Sequence, residues 1–583
     1  MGTFYRLKKY IIRYKWYYIL GILFLLVVDG LQLLIPQIIR RAIDDLTYFR
    51  ATPKGILTYI SAILVIAIGM GVARFGWRYF IIGNSRRIER ELRNEFYQHT
   101  QSLPTKFFNR TKTGDIMALA TNDLEAVRMM LGMATIAATD SLVLSVASLA
   151  MLLSISPTLT LYALIPLPAL SVLIPVFGKV LQERFRLVQE TFATLTDKVR
   201  EIFSGIRVVK AYVQEEANAE EFKRISEQYV KRNLSLTRVW GVFDPLIGLI
   251  IMTAFVIAIF VGGRKVIAGT LSMGSLVAFT TYLEMLAWPM IAIGWVTNLY
   301  QRGKASMKRI NKLFDEEVEP LEPENPIPLK EIRGKIEFKN FSFQYPGKSE
   351  YALSDISLVI PENSSVAVVG RTSSGKTTLV SQIPHIFDIP DGVLFIDDVD
   401  INRIPLKLLR KSIGFVPQDP FLFSDTILRN IAFGVEDATL EDVIHFAKLA
   451  GIHQEIMGFP DGYYTAVGER GVTLSGGQKQ RITIARAMLI NPRILILDDA
   501  LSSVDMQKET EILANLRKFR RDRTTIIISH RISSVKDVDR IFVLDRGKLV
   551  QEGRHEELIR EEGIYKTIYE KQQLETEIEE RDD

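Results

Sequence analysis

Six long apolar runs in the first half of the chain limit the possible folds more than any other feature. A helix needs about 20 residues to cross roughly 30 Å of hydrocarbon, and each run is close to that length. All six lie before residue 301 of a 583-residue chain. We therefore expect six helices embedded in a lipid bilayer: Trp16–Gln37, Ile56–Ile82, Ala134–Ser156, Leu159–Phe177, Val242–Gly262 and Gly274–Tyr300.

The overall composition excludes several classes of protein. The chain is 48% hydrophobic and 24% charged, which excludes a disordered polypeptide. It contains no cysteine, so disulfide scaffolds, cysteine-ligated zinc or iron–sulfur sites and cysteine nucleophiles are excluded. The net charge of +5 provides no polybasic surface, and we expect no nucleic acid as a partner.

The distribution of Lys and Arg predicts the orientation of the spans. Basic residues are frequent before the first span and between the second and third, whereas the third-to-fourth connection, Ser156–Thr158, has no charge. Basic residues also lie between the first and second spans, but Asp44 and Asp45 lie beside them. Because cytoplasmic loops carry the excess of positive charge, we expect a cell (inner) membrane protein with both termini in the cytoplasm.

The two long connections have helical patterns of their own. Residues 86–101 and 181–231 combine charged faces with apolar residues at helical spacing and contain almost no glycine or proline. We interpret them as cytoplasmic extensions of the spans that fold back near Pro104–Met117 and near Ser204–Val213. Two independent cytoplasmic hairpins are the alternative. The predicted transmembrane domain covers residues 1–314.

Acidic residues occur deep within the predicted spans. Asp29, Asp140 and Glu284 each place a carboxyl group where charge is costly, so each is a candidate substrate-contacting residue. The alternative is that they pair with a basic residue such as Arg74. Pro289 is expected to kink the sixth span close to Glu284.

The second half has an ordinary composition. Residues 315–335 are charged and rich in proline, which is typical of a linker. From residue 336 to 575 apolar strands alternate with helical patterns, as in an α/β domain. Residues 576–583 form an acidic tail with no assigned role.

A phosphate-binding loop is the strongest local signal in this half. The apolar strand Val366–Val369 leads into Gly370, and Gly375, Lys376 and Thr377 follow after four residues. This pattern matches G-x-x-x-x-G-K-[ST], in which backbone N–H groups bind phosphate oxygens. Lysine then contacts the β- and γ-phosphates, and threonine binds Mg²⁺. Two further apolar strands end in polar residues suited to the same site: Asp498 and Asp499 after one, His530 after the other.

Leu474–Gln478 reads LSGGQ and lies between the phosphate-binding loop and the strand that ends at Asp498. This order of motifs resembles the ATPase of ABC transporters. Gln418 resembles its Q-loop residue, Tyr345 the aromatic that stacks on adenine, and Ala466–Gly471 the X-loop of exporters. FFNRTKTGDIMALATNDLEAV and SGIRVVKAYVQEE in the first half are similar to cytoplasmic loops of bacterial multidrug ABC exporters. The resemblance covers essentially the whole chain.

The resemblance implies a six-span α-helical domain with long cytoplasmic extensions, fused to an α/β P-loop ATPase with a RecA-like core and a helical subdomain. It implies ATP and Mg²⁺ as ligands, a second half-transporter as partner, and transport by alternating access. Asp499, His530 and Gln418 would be catalytic, and Thr377, Gln418 and Asp498 would bind the metal. The implied nucleotide-binding residues are Tyr345, Gly370, Arg371, Thr372, Ser373, Ser374, Gly375, Lys376, Thr377, Thr378, Ser475, Gly477 and Gln478.

Two residues depart from the family pattern. Glutamate usually follows the Walker B aspartate and acts as the general base, but Asp499 stands there. One missing methylene withdraws the carboxylate by roughly 1–1.5 Å, whereas a general base must lie within hydrogen-bonding reach of its proton. Ser373 replaces a glycine of the Walker A loop, and serine tolerates positive φ less well. We expect ATP binding to be retained.

These departures resemble the degenerate half of a heterodimeric multidrug exporter. Ser475 and Gly477 would then complete the partner's competent site, while this chain's own Walker residues hold ATP in a weakly hydrolysing one. The transported compounds would be small, amphipathic or cationic. A homodimeric lipid or drug flippase with Asp499 as a working base is the alternative, and an ATP-gated channel is a third hypothesis.

Overall fold

The structure is a computed structural model. It describes residues 3–320, 322–323, 325–468, 471, 473–504, 506–519 and 521–582. Two compact units are distinguished by their internal contacts. The first comprises Met1–Gln101 and Thr113–Glu316, and the second comprises Ser102–Lys112 and Glu317–Asp583.

The first unit is entirely helical. Its helices are α1 (Tyr5–Arg13), α2 (Lys15–Thr47), α3 (Pro53–Trp77), α4 (Gly83–Gln101), α6 (Thr113–Ala118), α7 (Leu124–Met129), α8 (Thr135–Ile155), α9 (Pro157–Leu164), α10 (Pro168–Ser204), α11 (Ile206–Ala211), α12 (Glu215–Ile267), α13 (Met273–Met285) and α14 (Ala287–Phe314), while α5 (Thr105–Arg110) belongs to the second unit. Arg78–Ile82, Leu119–Asp123 and Met130–Ala134 form π-helical turns that join their neighbouring helices without a break.

Across the described residues, six helices are long and apolar enough to cross a membrane. The six spans expected from the sequence are therefore confirmed, and most continue well beyond their apolar part. The longest, Glu215–Ile267, has 53 residues and measures about 80 Å at 1.5 Å per residue. Because only about 30 Å of a helix lies within hydrocarbon, the rest extends outside it, as the charged helical patterns predicted.

Caps and prolines set the helix boundaries in this unit. Ser156 begins α9, where its hydroxyl accepts a hydrogen bond from the Leu159 N–H and Pro157 occupies the first turn. This explains why the third and fourth spans are separated by a single residue. The sixth span breaks at Leu286, close to Pro289, as expected from the sequence.

The second unit contains two sheets. The strands are β1 (Ile336–Phe343), β2 (Leu353–Ile360), β3 (Ser365–Gly370), β4 (Leu394–Ile396), β5 (Val399–Asp400), β6 (Ile413–Val416), β7 (Ile494–Asp498), β8 (Thr524–Ile528), β9 (Arg540–Asp545) and β10 (Lys548–Gly553). One sheet has the order β2-β1-β4-β5, and the other has the order β10-β9-β3-β8-β7-β6. The helices are α15 (Lys376–Val380), α16 (Leu406–Lys411), α17 (Ile427–Ile431), α18 (Leu440–Leu449), α19 (His453–Met457), α20 (Gly476–Leu489), α21 (Met506–Phe519), α22 (His555–Leu558) and α23 (Ile564–Asp582).

The larger sheet is parallel where it carries the sequence motifs. Strand β8 lies between β3 and β7, and both pairings are parallel. Alternate residues of β3 enter different cores: Ala367 and Val369 join one apolar cluster, and Val366 and Val368 join another. A strand buried on both faces reads as a continuous apolar run, which is why these strands could be recognised in the sequence.

The segment Ser102–Lys112 packs within the second unit although it lies between two spans in the sequence. The Glu319 backbone N–H donates to the Ser102 carbonyl oxygen at 2.8 Å. Lys106 forms an ion pair of 2.7 Å with Asp388, and Arg410 binds both carboxylate oxygens of Glu319 at 2.8 Å. The linker and this short crossing segment are therefore attached to the same part of the α/β unit.

Candidate nucleotide-binding site

The polar ends of three parallel strands meet at one edge of the larger sheet. Strand β3 ends at Gly370, β7 ends at Asp498, and β8 is followed by Ser529 and His530. A cleft of about 640 Å³ opens at this edge. Of the residues predicted from the sequence, its lining includes Tyr345, Thr372, Ser373, Ser374, Gly375, Lys376, Thr377, Thr378, Gln418, Asp498, Asp499 and His530.

The loop between β3 and α15 is shaped by close backbone contacts. A Cβ atom on Gly370 would lie 2.1 Å from the Leu544 carbonyl oxygen, so this position requires glycine. The Lys376 ammonium group is buried and donates to the carbonyl oxygens of Gly370 and Arg371 at 2.9 and 2.8 Å. Burial lowers the pKa of Lys376. The loop thus curls around its own lysine and presents residues 372–378 to the cleft.

Asp498 is suited to binding a divalent cation. Its Oδ1 accepts a hydrogen bond of 3.1 Å from the Thr377 hydroxyl. Its buried Oδ2 has no hydrogen-bond partner within the part of the chain that the structure describes, and burial raises the pKa of Asp498. Mg²⁺ prefers carboxylate and hydroxyl oxygens and is often held by one or two carboxylates together with substrate phosphates. The unpaired Oδ2 and the adjacent threonine hydroxyl fit that ion.

Asp499 follows directly and has an unusual backbone conformation. Its φ angle is +48°, in the left-handed region, which aspartate tolerates better than most side chains. The Asp499 N–H donates to the Ile528 carbonyl oxygen at 2.9 Å, and its own carbonyl oxygen accepts from the Ser502 hydroxyl at 3.0 Å. These contacts fix the backbone, so the reach of the carboxylate into the cleft is set by the length of its side chain.

Three further side chains predicted from the sequence also line the cleft. The Tyr345 ring packs against Phe343 and Phe387, and its hydroxyl lies 3.0 Å from that of Thr378. Gln418, which follows β6, and His530 are exposed at the rim. Tyr345 is therefore fixed in place, whereas the other two side chains face open space.

The residues of the LSGGQ motif lie away from this cleft and cap a helix. The Ser475 hydroxyl accepts from the Gln478 N–H at 3.3 Å, and Gln478 Oε1 accepts from the Ser475 N–H at 2.9 Å, so the pair begins α20 as a capping box. A Cβ atom on Gly477 would lie 2.7 Å from the Ser503 carbonyl oxygen. The cleft of this chain and its own signature residues are thus separate surfaces. Glu469 and Arg470 of the X-loop motif lie outside the described residues.

Glu455 of α19 holds the signature helix in place, and the sequence analysis did not identify it. Its carboxylate accepts two hydrogen bonds of 2.8 Å from Arg481, one of 2.5 Å from Lys508 and one of 3.1 Å from Gln478. Although partial burial opposes ionisation, these donors hold the pKa of Glu455 at about 2. A single glutamate in a short helix gives no signal of this kind in the sequence.

The cleft also contains residues that no motif indicated. They are Glu350, Tyr351, Ala352, Ile528, Arg546 and Gly547. Arg546 and Gly547 have φ angles of +45° and +77° and connect β9 to β10. Two residues with positive φ are typical of a tight hairpin turn. In the sequence, the Arg-Gly pair between two apolar runs was the feature from which this turn could have been predicted.

Of the acidic residues in the spans, Asp29 is fully buried, Asp140 is half-buried and Glu284 is exposed. Asp140 Oδ2 accepts a hydrogen bond of 3.1 Å from the Trp288 indole N–H. Among the described residues, neither oxygen of Asp29 pairs with Arg74 or with another basic side chain. The structure brings Asp29 and Asp140 together, whereas Glu284 does not join them.

Ser373 has a φ angle of +63°, the left-handed conformation that serine tolerates less well than glycine. Since its side chain is exposed in the cleft, we expect Ser373→Gly to bind ATP with little change in affinity. Ser373→Val should bind about tenfold more weakly, because a branched side chain costs about 1–2 kcal/mol in this conformation. Titration with a fluorescent ATP analogue measures both. Equal affinity for serine and valine would show that binding does not need this loop conformation.

Comparison with known proteins places these features in one family. Residues 18–290 match the family described as ABC transporter transmembrane region, and residues 353–502 match that described as ABC transporter. The chain is 38% identical over 575 residues to a probable multidrug resistance ABC transporter ATP-binding/permease protein of Bacillus subtilis (strain 168), covering 98% of this chain and 97% of the relative. It is also 38% identical over 577 residues to the multidrug resistance-like ATP-binding protein MdlA of Escherichia coli (strain K12), covering 99% and 97%.

A solved structure has the same architecture. The chain resembles a bacterial Atm1-family ABC exporter with ATP bound, with a TM-score of 0.78, 26% identity and coverage of 96% and 98% of the two chains. This confirms the fold expected from the sequence, a six-span helical domain fused to an α/β ATPase domain. The chain belongs to the ABC transporter family, as a multi-pass membrane protein whose ATPase domain hydrolyses ATP to drive transport.

Proposed function

We propose that this chain is the degenerate half of a heterodimeric exporter that moves small amphipathic compounds out across the cell membrane. The observation that carries the proposal is Asp499, which lines the nucleotide cleft at the position of the general base. Two relatives named for multidrug resistance and the likeness to an exporter support the direction and type of transport. The distribution of basic residues supports cytoplasmic termini and a cytoplasmic ATPase domain.

The separation of the two nucleotide-contacting surfaces supports a dimer. The signature residues Ser475 and Gly477 do not line this chain's own cleft. In the proposed assembly they complete the cleft of the second half-transporter, while this chain's cleft is completed by the partner. Each of the two ATP sites then depends on residues from both chains.

Different residues of the proposed site bind the nucleotide, hold Mg²⁺ and accept the proton of water. The backbone of residues 371–378 and the Lys376 ammonium group bind the phosphates, and Tyr345 stacks on adenine. Thr377, Asp498 and Gln418 hold Mg²⁺, which supplies charge neutralisation on the phosphate oxygens when bound. His530 lines the same cleft as Asp499 and orients the terminal phosphate. Asp499 accepts the proton of the attacking water, over a distance that its short side chain lengthens.

The proposal is tested by measuring ATP hydrolysis of the chain purified alone and together with a co-expressed second half-transporter. Very low activity alone and high activity of the pair would support the heterodimer. Brisk turnover by the chain alone, abolished by Asp499→Asn, would instead show that Asp499 is a working base in a homodimer. ATP-dependent uptake of an amphipathic dye into inside-out vesicles against a gradient distinguishes transport from ATP-gated leakage.

A further inference from the structure

Gln572 of the last helix, α23, binds two backbone groups of the loop that follows β8. Its side-chain Nε2 donates to the His530 carbonyl oxygen, and its Oε1 accepts a hydrogen bond of 2.9 Å from the Ile532 N–H. A side-chain amide provides a donor and an acceptor together without carrying a charge. Glutamine therefore matches the carbonyl oxygen and the N–H group that this loop presents.

The packing of α23 fixes the place from which Gln572 reaches the loop. Tyr565 is 0% exposed, and Ile568 and Tyr569, one turn further on, pack against the same apolar cluster. That cluster also contains Ile532 of the loop. Gln572 follows Ile568 by four positions and Tyr569 by three, so it lies on the packed face of the helix. The buried face of α23 thus holds the amide against the loop.

His530 depends on this loop for its position. Its side chain lines the nucleotide cleft and is exposed. Across the part of the chain that the structure describes, the imidazole forms no hydrogen bond, and the Gln572 amide is the group that binds the His530 backbone. The next residue, Arg531, forms an ion pair with Glu509 of α21. The place of the imidazole is therefore set through the backbone, to which Gln572 is attached on both sides of Arg531.

We propose that Gln572 is a positioning residue for His530. Through its two backbone hydrogen bonds it holds the loop after β8 so that the imidazole meets the terminal phosphate of bound ATP. Gln572 is not among the residues that line the cleft, so it acts through His530 and not by touching the nucleotide. The inference rests on the proposed role of His530, and it makes that role depend on the last helix of the chain.

The inference is tested by competition of ATP and of ADP against photolabelling of this chain with azido-ATP, on ice, in the full transporter. His530→Ala should lower the preference for ATP over ADP by about tenfold, because a hydrogen bond to a charged phosphate is lost. Gln572→Met keeps the length of the side chain but not its amide. It should lower the same preference by at least about threefold and leave the affinity for ADP unchanged.

A double variant separates positioning from a general structural effect. If Gln572 acts through His530, Gln572→Met should cause no further loss of ATP preference in a His530→Ala protein. Gln572→Glu keeps an acceptor for the Ile532 N–H but, when ionised, has no donor for the His530 carbonyl oxygen, so its preference should lie between those of the native protein and Gln572→Met. Gln573→Met is the matched control, since it changes the neighbouring, exposed glutamine of the same helix and should behave like the native protein.

An unchanged ATP preference in Gln572→Met would overturn the inference and leave the proposed role of His530 intact. An equal loss of ATP and ADP affinity, or a further loss in the His530→Ala protein, would also overturn it, since either would indicate a merely structural role. If His530→Ala itself left the preference unchanged, the proposed role of His530 would fail, and the inference with it. Binding on ice requires no hydrolysis, so none of these results depends on Asp499, and the proposed heterodimer is judged separately.

Discussion

Replacing Asp499 with glutamate should raise ATP hydrolysis at this chain's own site by at least about tenfold. The added methylene moves the carboxylate roughly 1–1.5 Å further into the cleft, while hydrogen bonds to Ile528 and Ser502 hold the backbone where it is. A positioned general base typically contributes a factor of about 10² to 10⁴, so recovery of part of that factor is a large effect. The other residues that the reaction requires are present in the site, since Thr377, Asp498 and His530 all line the cleft.

The gain must be assigned to the correct site. Photo-crosslinking of an azido-ATP analogue after vanadate trapping labels the chain whose site has hydrolysed nucleotide, so Asp499→Glu should shift label onto this chain. The Asp499→Asn side chain has the size of aspartate but lacks the carboxylate that accepts a proton. Labelling of this chain should therefore not increase in that variant. Glutamate is less favoured than aspartate at a φ of +48°, so the melting temperature of each variant is recorded. A folded Asp499→Glu protein without increased labelling would contradict the proposed degenerate site.

Glu455→Gln should destabilise the ATPase unit by about 2–3 kcal/mol and lower ATP turnover of the assembled transporter. The substitution removes the charge that compensates Arg481, whose side chain is only 5% exposed. Breaking a buried ion pair from one side is costly because the remaining charge stays buried. The same substitution loosens Gln478, which caps the signature helix α20. All five tryptophans precede residue 300, so tryptophan fluorescence does not report on the ATPase unit. Resistance of the second half to protease on heating measures the stability change instead.

Glu562→Gln is the matched control for this prediction. Glu562 forms an ion pair with Lys566 in the same unit, but its side chain is 89% exposed, and exposed pairs contribute little. Its variant should be as stable as the native protein. If Glu455→Gln were equally harmless, the four hydrogen bonds at Glu455 would not be holding the signature helix.

The same network predicts a dependence of stability on pH. The pKa of Glu455 is held at about 2, below the ordinary value of 4.5. A depressed pKa stabilises the folded state fully above the unfolded value and progressively less as pH falls toward the folded one. The stability difference between the native protein and Glu455→Gln should therefore be full above about pH 5 and shrink between pH 4.5 and 2.

The fold was predictable because its largest signals are local. Length and apolar content were enough to identify the spans, and strands such as β3 and β7 are apolar runs because both of their faces are buried. The nucleotide cleft followed from motifs at the ends of neighbouring parallel strands. What the sequence did not indicate depends on contacts between distant residues. Glu455 and Arg481 lie on different helices, and the positions of Asp29 and Asp140 relative to each other are set by the packing of α2 against α8.

The membership of Ser102–Lys112 in the ATPase unit has a practical consequence for work on isolated fragments. A soluble fragment beginning at Glu317 would lack the Ser102 carbonyl oxygen that accepts the Glu319 N–H, and the Lys106 partner of Asp388. The linker of the fragment would lose its hydrogen bond to Ser102, and the surface around Asp388 that contacts Lys106 would be exposed. Assays on such a fragment would therefore report on an incomplete unit. Adding a synthetic peptide of residues 102–112 would supply the missing segment.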